Sequence, residues 1–138
     1  MEWMIMPLKR YADFSGRSRR KEYWMFVLLL IILGAVLGMF TGGFAAMTDP
    51  TGAAAESAMG AGPIIMGLFY LAILIPAIAV QVRRFHDQDK SGWFVLLSFI
   101  PLVGGIIVLV FMCLEGTKGE NRFGPDPKMN DNVGDVFE

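Results

Sequence analysis

The chain has 138 residues, of which 54% are hydrophobic, with a mean hydropathy of +0.51 and a formal net charge of −1. This length leaves room for one small compact unit, and the composition is far from that of a soluble domain. The single cysteine, Cys113, excludes an internal disulfide, and one cysteine with one histidine excludes a zinc site of ordinary ligand count. We expect no metal and no cofactor.

The N-terminal residues predict a short amphipathic helix within residues 1–14. Apolar and aromatic side chains recur there at helical spacing with charged residues between them, which favours a helix lying in a membrane interface. Pro7 suits the first turn of this helix, Gly16 is expected to end it, and Ser18 is the predicted N-cap of the next helix.

Three long uncharged stretches predict membrane segments over residues 24–44, 64–82 and 93–114. A hydrocarbon core about 30 Å thick requires roughly twenty apolar residues of helix. The predicted fold is therefore an all-α, polytopic membrane protein with an interfacial N-terminal helix and three membrane segments. These form one membrane domain over residues 1–128, followed by a flexible polar tail over 129–138.

The positive charges are unevenly distributed along the chain. Residues 1–23 and 83–92 carry six and three Lys or Arg residues, whereas residues 45–62 carry none. By the positive-inside rule, the two basic stretches are cytoplasmic and the loop between the first two segments faces outward. We expect a multi-pass protein with a cytoplasmic N-terminus.

The third segment allows two interpretations, because a proline and two glycines fall within Pro101–Gly105, at its middle. As a single kinked span, its twenty-two residues cover about 33 Å and place the C-terminal tail outside. As a re-entrant hairpin, it turns at these residues and returns the tail to the cytoplasm. The cost of irregular backbone in lipid favours the kinked span, and the cations of the tail favour the hairpin.

Three motifs carry a family resemblance. They are Phe14–Trp24 (FSGRSRRKEYW), then Arg83–Asp87 (RRFHD) followed by Ser91–Trp93, and finally Gly116–Pro127 (GTKGENRFGPDP). In order and spacing, from about residue 8 to 128, they resemble the domain of unknown function 805 family of small bacterial inner-membrane proteins. The resemblance implies a location in the bacterial inner membrane, and it implies no activity because the family's function is not known.

The first two motifs define a candidate cluster at the predicted membrane surface. Its members are Arg17, Arg20, Glu22, Arg83, Arg84, His86 and Asp87. If the helix continues through the second motif, Arg83 and Asp87 share a face at i,i+4. A catalytic role for His86 lacks a paired Ser or Cys nucleophile, so we expect no enzyme.

The cations of both basic stretches are predicted to converge on one cytoplasmic face. Arg carries a planar fork that suits phosphate, so this face is a candidate site for anionic lipid head groups. Nucleic acid is not expected, because the cations are held at the lipid surface and interleaved with acidic residues. The alternative is that the charges only hold these ends of the segments inside. The cations are Arg17, Arg19, Arg20, Lys21, Arg83, Arg84 and Lys90.

Gly34, Gly38 and Gly42 recur every four residues and predict a smooth helix-packing stripe along the first segment. The preferred interpretation is packing within the monomer, because three membrane helices need an internal seam; the alternative is a homo-oligomer or another membrane protein as partner.

The third motif predicts a turn-rich loop that packs on the protein's own surface. Its candidate residues are Asn121, Arg122, Gly124 and Asp126. The sequence as a whole predicts a non-enzymatic module that associates with membrane lipids or a partner. The alternative is a subunit of an oligomeric channel or small-solute transporter.

Overall fold

The computed structural model describes residues 2–49, 51 and 60–129. In chain order its helices are α1 (Glu2–Lys9), α2 (Arg20–Phe40), α3 (Gly43–Thr48), α4 (Ala61–Asp87), a 3₁₀ helix (Gly92–Phe99) and α5 (Gly104–Cys113). The predicted all-α class is confirmed. Half of the predicted outer loop (50 and 52–59) and most of the predicted tail (130–138) lie outside the described residues.

Helices α2 and α4 have the length and composition of membrane spans. They contain 21 and 27 residues, and their most apolar windows have mean hydropathies of 2.5 and 2.4. Their large apolar side chains are exposed: Ile31 by 62%, Phe40 by 86% and Ile64 by 66%. Exposed apolar surface on this scale is costly in water and suits a lipid environment.

The start of the chain differs from the sequence prediction in two details. α1 begins at Glu2, so Pro7 is buried in its second turn instead of lying in the first. α2 begins at Arg20, and the predicted N-cap at Ser18 is wrong. The backbone N–H of Ser18 donates to the carbonyl of Arg83 at 3.1 Å, so this residue joins the loop to α4 and caps nothing.

The chain divides into two compact units. The first, here called the charged unit, consists of residues 1–26 and 76–138, and the second, the apolar unit, of residues 27–75. Each unit contains part of α2 and part of α4, because both helices continue from one unit into the other.

In the apolar unit, the start of α4 lies against the end of α2. A Cβ atom added at Gly62 would lie 2.9 Å from the carbonyl oxygen of Thr41, so only glycine permits this approach. The hydroxyl of Thr41 in turn donates to the carbonyl of Leu37 at 2.8 Å. Gly62 is thus the close-contact glycine of this unit, and sequence reasoning missed it because it has no repeat partner.

The predicted glycine stripe is not an internal seam. A Cβ atom added at Gly34, Gly38 or Gly42 would meet no atom within 4 Å in the part of the chain that the structure describes. Gly42 is not on α2 at all, because that helix ends at Phe40 and Gly42 has a φ of 73°, which glycine adopts at low cost. The stripe is therefore reduced to Gly34 and Gly38, on an open face.

The charged unit has a small apolar core. Its fully packed members are Phe85, Val108 and Met112. Partly buried side chains from α2, the 3₁₀ helix and α5 surround them: Tyr23, Val95, Leu97 and Phe111.

The third predicted segment is a hairpin. A straight helix would separate residues 94 and 111 by about 25 Å. In the structure the rings of Phe94 and Phe111 are 6.2 Å apart, and both lie within 6 Å of Phe85 on α4. The chain leaves α4 at Asp87 and returns to it, since the N–H of Thr117 donates to the carbonyl of Asp87 at 2.7 Å. The two legs fold back on each other as in the hairpin interpretation and not as in a single kinked span, whereas the cytoplasmic position of the tail stays a prediction.

Backbone groups in the turn of this hairpin form hydrogen bonds with one another. The cost of irregular backbone in lipid, which favoured a kinked span, therefore no longer argues against a hairpin. The N–H groups of Ile100, Val103 and Gly104 donate to carbonyls of the same turn at 2.8 to 3.1 Å. Gly104 packs directly on the carbonyl of Leu97, where a side chain would collide. Local hydrogen bonds and the close packing of Gly104 therefore stabilise the irregular backbone, for which we had expected a larger surrounding protein to be necessary.

Candidate functional site

The last turn of α4 places Arg84 and Asp87 on one face of the helix. The Arg84 Nη1 atom lies 2.5 Å from Asp87 Oδ2, and Arg17 from the α1–α2 loop places Nε 3.0 Å from Asp87 Oδ1. Asp87 is therefore paired with Arg84 at i,i+3, and not with Arg83, which was predicted to share its helix face at i,i+4. The three side chains are buried, with Arg84 fully so.

Arg83 points to a different carboxylate. Its Nη2 atom lies 3.4 Å from Glu22 Oε1 at the start of α2, and the residues are 0% and 2% exposed. The arginine–carboxylate cluster, defined as Arg17, Glu22, Arg83, Arg84 and Asp87, thus contains three buried ion pairs around two carboxylates, and each pair has a partner on α4. Removing one partner of such a pair leaves the other charge buried and uncompensated, which strongly destabilises the fold.

Arg17 also holds the C-terminal loop. Besides Asp87, its guanidinium donates to the carbonyls of Gly119 at 2.6 Å, of Gly124 at 3.3 Å, and of Thr117. Arg84 similarly donates to the carbonyl of Leu114. The planar guanidinium has five donors, so one side chain can join a carboxylate to several carbonyls.

Gly116 permits the loop to approach the cluster. A Cβ atom added there would collide with the carboxylate of Asp87. Sequence reasoning missed the role of Gly116 because it seemed to be one of several glycines in a turn-rich loop. Only the fold shows that its missing side chain leaves space for an ion pair.

The candidate loop residues pack on the protein's own surface, around the end of α4. Asn121 donates to the carbonyl of His86 at 2.9 Å and closes a tight turn with Gly124. Arg122 contacts Asp89 through the backbone carbonyl at 2.8 Å and the carboxylate at 3.2 Å.

Asp126 orders the other end of the loop. Its carboxylate accepts from the N–H of Lys128 at 2.9 Å and of Gly119 at 3.0 Å. These backbone donors, that of Lys128 first, lower the pKa of Asp126 below its ordinary value because they stabilise the charged form.

His86 has a packing role in this arrangement. Its ring stacks on Phe123 with centroids 3.9 Å apart, and its Nδ1 atom lies 3.2 Å from the carbonyl of Gly16, to which it donates. Its neighbour Asp87 is engaged by two arginines instead of orienting the imidazole. Within the described ranges, no group of three His, Cys, Asp or Glu residues is arranged to hold a metal ion.

Burial separates the cations of the predicted basic face into a buried group and an exposed group. Arg17, Arg83 and Arg84 are buried among carboxylates and carbonyls, so they do not present charge to a head group. Arg20 lies outside the buried cluster, because its side chain is exposed and contacts the carbonyl of Cys113 at 3.2 Å and the carboxylate of Glu115 at 3.4 Å.

Three of the remaining cations line a cavity of about 350 Å³, here called the basic cavity, whereas Lys90 lies over the ring of Phe111. Lys21 and Lys128 contribute exposed ammonium groups to it. Asp87 forms part of its wall but is already paired with Arg17 and Arg84. Lys128 and Arg20 share the carboxylate of Glu115, at 2.7 and 3.4 Å, so the four cations of the lining still outnumber the carboxylate that they contact. The other lining residues are Arg19, Arg20 and Gly116.

Comparison with known proteins agrees with the resemblance seen in the motifs. Over 133 residues the chain is 41% identical to the inner membrane protein YhaI of Escherichia coli K12, covering 96% of this chain and 100% of the relative. Over 129 residues it is 45% identical to the inner membrane protein YhaH of the same organism, covering 94% and 98%. The uncharacterized protein YiiR is 26% identical over 140 residues, covering 83% and 85%. No solved structure matches the chain.

The family described as "Protein of unknown function (DUF805)" matches residues 11–125, which include the arginine–carboxylate cluster and most of the C-terminal loop. Together with the two inner-membrane relatives and the apolar helices α2 and α4, this match identifies the chain as a membrane protein that belongs to the DUF805 family.

Proposed function

We propose that the protein is a non-enzymatic, multi-pass module of the bacterial inner membrane that binds anionic phospholipid head groups at the basic cavity. The N-terminus and the basic cavity face the cytoplasm in this proposal, as the distribution of Lys and Arg favours. The buried arginine–carboxylate cluster serves to build the cavity wall and does not contact lipid.

The observation that carries the proposal is the composition and position of the basic cavity. Four of its six lining residues are cationic, and three of these, Arg19, Arg20 and Lys21, lie at the start of α2. The unpaired N–H groups at a helix start add to the attraction for an anion. Trp24 follows directly and is 37% exposed, as an aromatic side chain at a membrane interface is expected to be.

The test removes the two lysines of the cavity. Each cation near an anionic head group contributes on the order of 1 kcal/mol, so Lys21→Gln with Lys128→Gln should weaken retention of phosphatidylglycerol roughly thirtyfold at low salt. The measurement is native mass spectrometry of the full chain, purified in mild detergent and titrated with phosphatidylglycerol.

The matched control is Lys9→Gln with Lys118→Gln, which makes the same change in net charge at exposed lysines outside the cavity. Its retention of phosphatidylglycerol should stay within about threefold of wild type, since distant charges are screened. Equal losses in the two double variants would show a general charge effect and refute the basic cavity as the site.

A further inference from the structure

A second cavity, of about 530 Å³, is lined by residues of α4, the 3₁₀ helix, the α1–α2 loop and the C-terminal loop. Its volume lies within the roughly 300–1,000 Å³ that is typical of small-molecule sites. We call it the aromatic cavity, because Phe14, Trp93 and Phe123 contribute rings to its wall. No Asp, Glu, Lys or Arg of the described chain lines it, so the wall favours an uncharged ring over a phosphate group.

One hydrogen-bond acceptor in this wall has no partner. The Nδ1 atom of His86 lies 3.2 Å from the carbonyl oxygen of Gly16, and because a carbonyl only accepts, Nδ1 carries the proton. In the neutral imidazole, Nε2 is then an acceptor. Nε2 has no hydrogen-bond partner within the described ranges, and it is not enclosed, in contrast to the unpaired atoms of Arg83 and Arg84.

Gly92 keeps the space in front of this acceptor open. A Cβ atom added there would lie 3.3 Å from Nε2, so the acceptor edge of the imidazole is directed to a glycine of the cavity wall. The stacking of His86 on Phe123, with centroids 3.9 Å apart, fixes the plane of the ring. A ligand in the cavity therefore meets a fixed acceptor, which a hydroxyl group satisfies and a carbonyl oxygen does not.

An apolar groove adjoins the aromatic cavity at Trp93, which lines both. The groove has a volume of about 370 Å³, and its other lining residues are Phe94, Leu96, Leu97 and Ile100. Trp93 and Leu96 are exposed, as apolar side chains that face lipid are expected to be. A ligand with a hydroxylated ring in the cavity and an apolar chain in the groove would cover both surfaces.

We infer that the aromatic cavity binds the hydroquinone head group of a membrane quinol. One hydroxyl group of the ring donates to Nε2 of His86, the ring lies beside Phe14 and Trp93, and the apolar chain follows the groove. The inference concerns binding alone and includes no transfer of electrons or protons. It goes beyond the proposed function, because the aromatic cavity shares no lining residue with the basic cavity.

The oxidation state of the ring tests the hydrogen bond in the wild-type chain. The probes are 2,3-dimethoxy-5-methyl-6-decylhydroquinone, here the decyl quinol, and the corresponding quinone. Each is titrated into the full chain without oxygen at about pH 8, where an ordinary histidine is neutral, and binding is read by native mass spectrometry in mild detergent. The quinol should bind at least about fivefold more tightly, because the quinone offers Nε2 only carbonyl oxygens. Equal affinities, or tighter binding of the quinone, would overturn the inference.

Two substitutions of His86 assign this preference to the imidazole. His86→Phe keeps a ring that can stack on Phe123 but has no acceptor, so the affinity for the quinol should fall to that for the quinone. His86→Asn replaces the donor to Gly16 with an amide and also lacks Nε2, so it should lose the preference as well. A preference for the quinol that survives in either folded variant would refute the role of His86.

A matched pair of aromatic deletions locates the head group. Phe14→Ala removes a ring from the cavity wall and should weaken the quinol and the quinone alike, by at least about threefold. Phe99→Ala removes a ring that is exposed and lines neither the cavity nor the groove, so both affinities should stay unchanged. Equal effects of the two deletions would place the ligand elsewhere and contradict the inference.

The apolar chain separates a membrane quinol from a soluble phenol. Leu96→Asn, in the groove, should weaken the decyl quinol at least about threefold and leave the same hydroquinone without its decyl chain unchanged. Equal effects on both probes would show that the groove does not hold the chain and would refute a membrane quinol as the ligand. The Lys21→Gln with Lys128→Gln variant should bind the decyl quinol as wild type does, so failure of the proposed function and failure of this inference are distinguishable.

Discussion

At the scale of single residues, burial gives three of the arginines a structural role. The sequence predicted surface charges at Arg17, Arg83 and Arg84. In the structure these side chains are buried, and they contact carboxylates and carbonyls of three different chain segments. Charges in such positions act as structural connectors, since their donors need partners once water is removed. The cationic side chains that remain exposed beside them are those of Arg20, Lys21 and Lys128.

The close approach of Gly116 to Asp87 gives a prediction at this scale. Gly116→Ala should lower the free energy of unfolding by at least about 2 kcal/mol, because the new methyl group must displace a carboxylate held by two arginines. The measurement is the thermal unfolding of both proteins in the same detergent. Gly105→Ala is the control, because a Cβ atom there meets nothing within 4 Å and alanine favours the helix. A Gly116→Ala protein as stable as Gly105→Ala would contradict the packing described for the loop.

At the scale of elements, the sequence predicted the helices that have a strong periodic or apolar signal. The two long helices and the interfacial helix are present, although α2 ends at Phe40 and not at residue 44. The third segment could not be assigned from composition, because a kinked span and a hairpin have the same hydropathy. Contacts between residues distant in sequence, such as Phe94 with Phe111, decide between them.

Only part of the candidate site could be predicted from the sequence, because its remaining contacts also join residues that are distant in the chain. All three motifs do come together at the end of α4, and the loop motif packs there as expected. Sequence spacing placed Arg83 on the same helix face as Asp87, but i,i+3 and i,i+4 neighbours are both close on a helix, so spacing alone does not name the partner of Asp87. The choice of Arg84 depends on where Glu22 lies, which the local sequence does not specify.

The open face of α2 gives a prediction that separates the two functional classes. Gly38→Ile should change the free energy of unfolding by less than about 0.5 kcal/mol, because a Cβ atom added at this open position meets no described atom within 4 Å. Thermal unfolding and native mass measure stability and oligomeric state together. A destabilised monomer would contradict the open face. Loss of an oligomer with an intact fold would instead favour the channel or transporter alternative.

At the scale of the whole molecule, the charged unit collects residues from both ends of the described chain. The loop after α1 and the loop after α5 contact each other through Arg17, and both contact the last turn of α4. For a chain in a membrane, we expect this arrangement to place the N-terminal segment and the C-terminal loop on the same side. The hairpin between Gly92 and Cys113 is what makes this possible, because a third complete span would separate them.

The most direct test of this account compares the accessibility of the two loops in membranes. Single cysteines replace Ala12 or Lys118, both exposed, in a Cys113→Ala background, and an impermeant maleimide is applied to right-side-out and to inverted inner-membrane vesicles. The account predicts that both positions react only in inverted vesicles, where the cytoplasmic face is outside. Labelling of Lys118→Cys in right-side-out vesicles, with Ala12→Cys labelled only in inverted ones, would show a third complete span and contradict the account.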